Sequence, residues 1–287
     1  MKILLTGRYG QVGWELERCL APLGELICFD HRSLDLGNLD AIAARVREVA
    51  PEIIVNAAAY TAVDQAESER DRAYAVNALG PAALADEAKR LGALLVHYST
   101  DYVFDGTKDG PYTEDDTPNP INVYGASKLE GERAIQASGC RHLLLRTCWV
   151  YGTRGRNFLL TMLRLASERS ELRVVDDQIG SPTWCRTIGR ATAELLQRRA
   201  EPGLMHLACA GYASWFEFAT AIVEQTRDLR GRQPAVRPIP SNAYPSAARR
   251  PANSRLSTAR IEELLGHFLP EWRTSLSGCL ADLNTHG

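Results

Sequence analysis

The first half of the chain alternates short apolar runs with amphipathic segments. Five apolar runs show no polar alternation, at residues 2–6, 25–29, 52–57, 93–99 and 142–147. Strands that are apolar on both faces are typical of a parallel sheet covered by helices on both sides. Helical periodicity fills the gaps, for example at residues 39–49 and 80–92. The pattern therefore predicts a doubly wound α/β fold, with its ligand site at the carboxyl ends of the strands.

The regular alternation of apolar runs and amphipathic segments ends at about residue 150. Helical segments continue there, but proline-rich loops interrupt them, the longest at residues 237–255. That loop is too aromatic and too rich in arginine for a plain linker. We interpret residues 1–150 as the first domain and residues 151–287 mainly as a smaller C-terminal lobe that binds the substrate, with some segments returning to the first domain.

Composition and charge narrow the function classes. The chain has 287 residues and a formal net charge of −2, which gives no field for attracting nucleic acid or an anionic membrane. No apolar run is long enough to span a bilayer, and Gly7 interrupts the N-terminal run too early for a signal peptide. The seven cysteines are scattered and never spaced C-x-x-C, which argues against a disulfide framework or a zinc site. We expect a soluble cytoplasmic protein without a resident metal.

Three glycines follow the first predicted strand, in the stretch TGRYGQVG. Gly7, Gly10 and Gly13 precede a helical segment, and a strand-to-helix turn without Cβ atoms lets the backbone approach a pyrophosphate. Asp30 follows the second strand, where an acid binds the adenosine ribose of a dinucleotide. This context predicts a dinucleotide-binding Rossmann domain. Asp30 favours NADH and Arg32 favours NADPH, so both cofactors stay open.

A tyrosine and a lysine stand four residues apart in the stretch NVYGASKLEGE. On a helix, Tyr124 and Lys128 lie about one turn apart on nearly the same face. A nearby ammonium lowers the pKa of a phenol, so the pair predicts a tyrosine that exchanges a proton with a substrate hydroxyl or carbonyl. The fourth predicted strand ends at Ser99, and Thr100 then offers a hydroxyl to the same reacting oxygen. Each feature alone also fits an ordinary helix surface or turn.

Eight segments carry a resemblance to a known family: GRYGQVGWELERCLAPLG, IIVNAAAYTAVDQAE, HYSTDYVFDGT, NVYGASKLEGE, RTCWVYG, RNFLLTMLRLA, DDQIGSPT and YPSAARRPANSRL. Over nearly its full length the chain resembles the extended short-chain dehydrogenase/reductase family, and within it the reductases of a dTDP-linked 4-keto-6-deoxysugar. AAAYTAVDQAE and ARRPANSRL are typical of that subfamily. The resemblance implies reduction, by NADPH or NADH, of the C4 ketone of dTDP-4-dehydro-L-rhamnose to dTDP-L-rhamnose.

The resemblance also implies roles for individual residues. Tyr124 donates the proton, Thr100 binds the reacting oxygen, Asp101 faces the sugar beside it, and Lys128 also holds the nicotinamide ribose. The residues expected along the cofactor are Gly7, Gly10, Gln11, Val12, Asp30, Asp35, Leu36, Ala59, Tyr60 and Thr61. The residues expected on the substrate side are Trp149 as the wall of the sugar pocket, Asn157, and Arg249 and Arg250 near the nucleotide diphosphate, whose oxygens match arginine forks.

Other functions stay open on the residues alone. A dehydratase or epimerase of the same fold would need a further acid/base pair, and such dehydratases typically carry Asp-Glu after the threonine, where this chain has Asp101 and Tyr102. An NADP-binding regulatory subunit, like that of methionine adenosyltransferase, would use the pocket as a sensor. The intact Thr100, Tyr124 and Lys128 argue against that role. A reductase could also yield the C4 epimer, 6-deoxy-talose.

Magnesium and assembly form the last expectation. Some members of the family are dimers bridged by magnesium through three acidic side chains. Glu15 fits the first position and Asp282 the third, but Arg186 occupies the second. An arginine places a fixed positive charge where the cation would sit. We therefore expect no magnesium, a pairing of Arg186 with Glu15 or Asp282, and a monomer or weak homodimer.

Overall fold

The computed structural model describes residues 1–227 and 234–286. In chain order its strands are β1 (Lys2–Thr6), β2 (Glu25–Phe29), β3 (Ile53–Asn56), β4 (Leu94–Thr100), β5 (Arg141–Thr147), β6 (Val150–Tyr151), β7 (Glu171–Val175), β8 (Ile179–Gly180), β9 (Thr183–Trp184), β10 (Gly203–His206), β11 (Ala213–Ser214), β12 (Ala235–Ile239) and β13 (Asn253–Ser254). Its helices are α1 (Gln11–Leu20), α2 (Leu39–Val49), α3 (Val63–Ala66), α4 (Arg70–Tyr74), α5 (Gly80–Leu91), α6 (Val123–Ser138), α7 (Phe158–Glu168), α8 (Cys185–Gln197), α9 (Trp215–Gln225), α10 (Ala259–Leu265) and α11 (Trp272–His286). A π-helical segment, Ala75–Leu79, joins α4 to α5.

Six strands form one parallel sheet in the order β10-β5-β4-β3-β1-β2. Its central strands are apolar on both faces because helices cover both sides, and every residue of β3 is buried. The chain passes from β1 to β2 on one side and then returns to β3 on the other side of β1. The connections diverge there and leave a crevice at the carboxyl ends of the strands. The predicted doubly wound α/β fold is confirmed.

Side-chain caps and glycines set the helix ends that matter for the site. Asn122 caps α6, its side chain accepting a hydrogen bond from Gly125 N–H, which fixes Tyr124 in the first turn. α5 ends at Gly92, whose φ of +67° lies in the left-handed region that favours glycine, as the sequence predicts. None of the helices in the described part of the chain is both long enough and apolar enough to cross a membrane.

The C-terminal part of the chain forms short strands around an aromatic core. β7 pairs with β12, β8 lies between β11 and β13, and β6 pairs with β9. The core holds Tyr151, Phe218 and Trp272, all at most 2% exposed. The rings of Phe218 and Trp272 meet edge to face at 5.9 Å. This second core gives the loops near the cleft a rigid base.

The two parts of the chain are interleaved in sequence. β10 pairs with β5 at the edge of the large sheet, and α8 packs against α1. Both elements lie beyond residue 150. The domain boundary at that residue stays a prediction, and these elements are segments of the second half that join the first.

Candidate active site

A cleft of about 900 Å³ opens at the carboxyl ends of β1, β3 and β4, the edge at which doubly wound sheets bind ligands. Its walls contain every residue expected along the cofactor, namely Gly7, Gly10, Gln11, Val12, Asp30, Asp35, Leu36, Ala59, Tyr60, Thr61, Tyr124 and Lys128. They also contain Thr100, Asp101 and Trp149 from the expected substrate side. The fold therefore brings together side chains from distant stretches of the sequence.

The glycine turn presents backbone to the cleft. Gly7 has a φ of +75°, and a Cβ atom there would lie 2.7 Å from the backbone nitrogen of Ala58. A Cβ atom on Gly13 would lie 2.0 Å from the carbonyl oxygen of Gly7. The N–H of Gly10 donates to that same oxygen at 2.9 Å and closes the turn before α1. The arrangement suits a pyrophosphate at the helix N-terminus.

Asp30 lies directly after β2, and the next turn holds its carboxylate. Oδ1 of Asp30 accepts hydrogen bonds from the Ser33 hydroxyl at 2.7 Å and from the Arg32 N–H at 3.1 Å. The bonds from Ser33 lower the pKa of Asp30. Asp30 and His31 line the cleft, whereas Arg32 does not. A fixed carboxylate at this place is suited to accept hydrogen bonds from ribose hydroxyls.

The hydroxyls expected in the reaction meet at the end of β4. Thr100 is the last residue of β4, one position beyond the predicted end of that strand. Its hydroxyl donates to Asp101 Oδ1 at 2.9 Å and accepts from the Tyr102 N–H at 3.1 Å. It is also near enough to the Tyr124 hydroxyl to act on the pKa of that group.

Burial controls protonation in this cluster. It raises the pKa of Tyr124 above the usual range, the charge of Asp101 raises it further, and the bond to Thr100 opposes both. Burial also raises the pKa of Asp101 to about 7, against hydrogen bonds from Ser254 and Thr100. The expectation that the pKa of Tyr124 is lowered is wrong in this structure: burial has the largest effect and raises it, and Lys128 is not among the groups that shift it. Tyr124 is therefore a protonated donor at neutral pH.

Lys128 points from α6 into β4. Its Nζ donates to the carbonyl oxygen of Tyr98 at 2.6 Å and lies 3.1 Å from Nε2 of His97. Burial lowers the pKa of Lys128 to about 8, and the charge of Glu132 opposes this. His97 was missed in the sequence. Its signal is a histidine within an apolar strand, three positions before Thr100.

Small residues bring α6 close to its neighbours. A Cβ atom on Gly125 would lie 2.0 Å from the carbonyl oxygen of Tyr102, and one on Gly131 would lie 2.2 Å from that of Asn77. Asn77, in the π-helical segment, also donates to the carbonyl oxygen of Tyr60 at 3.0 Å and accepts from its N–H at 2.9 Å. The glycines thus fix the distance between Tyr124 and the strand ends.

Two stacked indoles form an apolar wall of the cleft. The rings of Trp149 and Trp215 stack with centroids 3.5 Å apart and planes 9° apart, and Phe158 packs on Trp215 at 4.6 Å. Trp149 has a φ of +48°, a strained conformation for a bulky residue. A Cβ atom on Gly180 would lie 2.6 Å from the Trp149 ring. Trp215 was missed in the sequence, where it reads as the start of a helix after its cap, Ser214.

Three residues expected on the substrate side do not line this cleft. Asn157 caps α7, and its Nδ2 donates to the Gly152 carbonyl at 2.9 Å and to the side-chain oxygen of Gln11, which lines the cleft, at 3.2 Å. Arg249 is exposed. Arg250 forms an ion pair with Asp64 at 2.8 Å, which ties the C-terminal loop to the start of α3.

The comparisons with known proteins agree with this geometry. Residues 1–285 match the sequence model of the family described as RmlD substrate binding domain. The chain belongs to this family. A relative from Burkholderia thailandensis, named dTDP-4-dehydrorhamnose reductase, is 50% identical over 99% of both chains.

Solved structures under the same name extend this agreement. One from Clostridium acetobutylicum is 38% identical with a TM-score of 0.93, and covers 99% of this chain and 100% of its own. One from Bacillus anthracis, in complex with NADP, is 38% identical with a TM-score of 0.91, and covers 98% of this chain and 100% of its own. The resemblance inferred from the sequence is confirmed.

Arg186 stands at the second of the three positions where a magnesium bridge between subunits would need an acidic side chain. Its guanidinium pairs with Glu15 at 3.1 Å and also with Asp282, joining α8 to α1 and α11 within one chain. Glu15 is 2% exposed. Among the described residues, no three acidic, histidine or cysteine side chains cluster as a metal site. The donor set around Arg186 does not fit a divalent cation, because a fixed cation already binds both carboxylates.

Proposed function

We propose that the chain is an NADPH-dependent reductase that converts dTDP-4-dehydro-L-rhamnose to dTDP-L-rhamnose. The full-length likeness to proteins of that name supports the substrate. The observation that carries the reaction is that Tyr124, whose raised pKa keeps its hydroxyl protonated, lines the cleft together with Thr100 and Asp101. NADPH is favoured over NADH because the Bacillus anthracis relative is in complex with NADP.

The residues present fit a nicotinamide dinucleotide. The backbone turn at Gly7 and Gly10 would hold the pyrophosphate, and Asp30 the adenosine ribose. Lys128 and Tyr124 would lie beside the nicotinamide ribose. When bound, the cofactor supplies the hydride that reduces C4 of the sugar.

Tyr124 provides the proton. The Tyr124 O–H would transfer its proton to the C4 oxygen, on which negative charge develops during the reduction. Its raised pKa keeps the proton in place until then. Thr100 lies beside Tyr124 and acts on its pKa, while its own hydroxyl donates to Asp101. Thr100 can donate to the substrate oxygen once Asp101 is protonated.

The substrate side combines an apolar wall with a cation. The stacked Trp149 and Trp215 would select the 6-deoxysugar by shape. Arg250 would reach the diphosphate from the C-terminal loop after leaving its partner Asp64. We also propose that the enzyme works as a monomer or weak homodimer without a metal bridge, on the basis of the Arg186 ion pairs.

The test is the loss of NADPH absorbance on addition of dTDP-4-dehydro-L-rhamnose, with NMR of the product at C4. Stoichiometric oxidation of NADPH and the rhamno configuration are expected. Conversion of a dTDP-hexose without net NADPH consumption would indicate a dehydratase or epimerase. NADPH binding without turnover would indicate a regulatory subunit, and the talo configuration would identify the 6-deoxy-talose reductase. Tyr124→Phe is the matched control for a catalysed reaction.

A further inference from the structure

A buried chain of polar side chains runs from β1 through β3 to β4 and ends at Lys128. The Thr6 hydroxyl donates to Asn56 Oδ1 at 2.6 Å, Asn56 Nδ2 lies 2.9 Å from His97 Nδ1, and His97 Nε2 lies 3.1 Å from Lys128 Nζ. Each of the four residues is at most 2% exposed. Polar groups this deep are nearly always paired, so the direction of each hydrogen bond has consequences.

A backbone group fixes the orientation of the Asn56 amide. The N–H of Ala58 can only donate, and it contacts Asn56 Oδ1 at 3.2 Å, the atom that also accepts from Thr6. The Asn56 amide therefore turns its NH₂ group toward His97. An amide NH₂ only donates, so His97 Nδ1 is the acceptor, and the neutral imidazole carries its proton on Nε2.

This tautomer conflicts with a charged Lys128. An ammonium has three donors and no acceptor, so it cannot pair with an N–H on His97 Nε2 at 3.1 Å. A neutral amine accepts that N–H and still donates to Tyr98 O at 2.6 Å. Charging Lys128 requires the imidazole proton on Nδ1. Asn56 must then turn its oxygen to His97 and lose the N–H of Ala58.

We propose that His97 and Asn56 are positioning residues that govern whether Lys128 carries its proton, with the imidazole tautomer and the lysine charge changing together. The inference rests on the proposed reductase function for its kinetic consequence. In that function the charged Lys128 binds the nicotinamide ribose. Cofactor affinity and turnover should therefore fall at alkaline pH, where the amine is neutral, and the buried network sets the pH at which they fall.

The other ionisable groups around Lys128 act in a defined way. Burial lowers the pKa of Lys128 to about 8, and Glu132, one turn further along α6, opposes this. The carboxylate of Glu132 is already bound by Arg146 of β5 through two hydrogen bonds, of 2.9 and 2.7 Å. Tyr124, one turn earlier, is acted on by Asp101. His97 is thus the titratable group of β4 that contacts the amine.

The experiment compares pH profiles of two full-length variants that both leave an acceptor facing the ammonium. His97→Gln offers an amide oxygen near the position of Nε2, and Asn56→Asp holds the imidazole proton on Nδ1. NADPH affinity and kcat with dTDP-4-dehydro-L-rhamnose are measured from neutral to alkaline pH. The fall of affinity and kcat at high pH is called the alkaline limb of the profile. We expect the pH of this limb to rise by about one to two units in both variants, because a hydrogen bond to a charged group shifts an equilibrium about ten- to a hundredfold.

His206→Gln is the matched control, since His206 is equally buried but lies on β10. Its alkaline limb should stay at the wild-type pH. Wild-type limbs in folded His97→Gln and Asn56→Asp proteins would overturn the proposal.

Nitrogen NMR of histidine-labelled wild-type protein gives a second test that needs no variant to fold. His97 should be protonated on Nε2 above the limb and on Nδ1 below it. A tautomer that never changes would overturn the proposal. A wild-type protein that binds NADPH without reducing the sugar would refute the proposed function instead, and the NADPH affinity limbs would still test the network.

Discussion

The burial of Asp101 predicts how the free energy of unfolding changes with pH. Its side chain is 3% exposed, and burial raises its pKa from the ordinary 3.8 to about 7. In the unfolded chain the group returns to about 3.9. Between pH values equal to these two pKa values, Asp101 is protonated in the folded protein but ionised in the unfolded chain. The stability contributed by this group is therefore full below about pH 4 and is lost as pH rises to about 7.

Asp101→Asn should remove this pH-dependent loss. The amide keeps the shape and still accepts from Thr100, but it cannot ionise. The difference between 3.8 and about 7, at about 1.4 kcal/mol per pKa unit, amounts to about 4 kcal/mol. We expect the variant to match the wild type near about pH 4 and to exceed its free energy of unfolding by up to about 4 kcal/mol above about pH 7.

The assay is urea unfolding followed by tryptophan fluorescence, repeated over a series of pH values. Every other titrating group is common to both proteins, so the difference between the two free energies isolates Asp101. Asp105→Asn is the control of opposite sign, because hydrogen bonds from Thr107 and Asn119 lower the pKa of Asp105. That variant should lose stability at neutral pH and recover toward the wild type in acid. A difference between Asp101→Asn and wild type that stays constant with pH would refute the reasoning.

The remaining predictions concern catalysis, substrate binding and metal. Tyr124→Phe should lower turnover by about 10²–10⁴-fold and leave NADPH affinity nearly intact; near wild-type turnover would contradict the proton-donor role. Arg250→Ala should weaken binding of the dTDP-sugar more than binding of NADPH, as measured by calorimetry. Asp64→Asn frees the same arginine and should not weaken binding of the dTDP-sugar. Equal losses of affinity for both ligands in Arg250→Ala would indicate that the loop has a structural role. Activity should survive EDTA because Arg186 already binds the acidic side chains, and a loss reversed by magnesium would show otherwise.

The sequence predicted the parts of the fold that depend on local pattern. Apolar strands 2–6 and 25–29 appear with the predicted bounds. In the inner strand 2–6, burial on both faces leaves no room for polar alternation. Gly7 was predicted from the need for a strand-to-helix turn whose backbone can approach a pyrophosphate, and the structure leaves no space for a Cβ atom there, because the backbone of Ala58 lies too close. Patterns of this kind can be recognised in the sequence because they depend on which residue types follow one another along the chain.

Contacts between elements were harder to infer. Asn157 was expected near the substrate, and that role stays a prediction: its side chain caps α7 and reaches the cleft only through a hydrogen bond to Gln11. Trp215 was not expected in the site, since it starts a helix far along the chain and reaches the cleft only by stacking on Trp149. Arg186 was foreseen as a partner of Glu15 or Asp282, and it binds both.

The spacing of Tyr124 and Lys128 along the helix does not determine the protonation states of the two side chains. Four residues on a helix place the two heads near each other, which led to the expectation of a tyrosine with a lowered pKa. Burial acts on both groups in the direction of the neutral form, raising the pKa of Tyr124 and lowering that of Lys128. A reductase needs a proton on its donor, so a protonated tyrosine suits reduction better than a phenolate. The charge of Lys128 then depends on His97, a residue that spacing along α6 cannot reveal because it comes from the strand beneath.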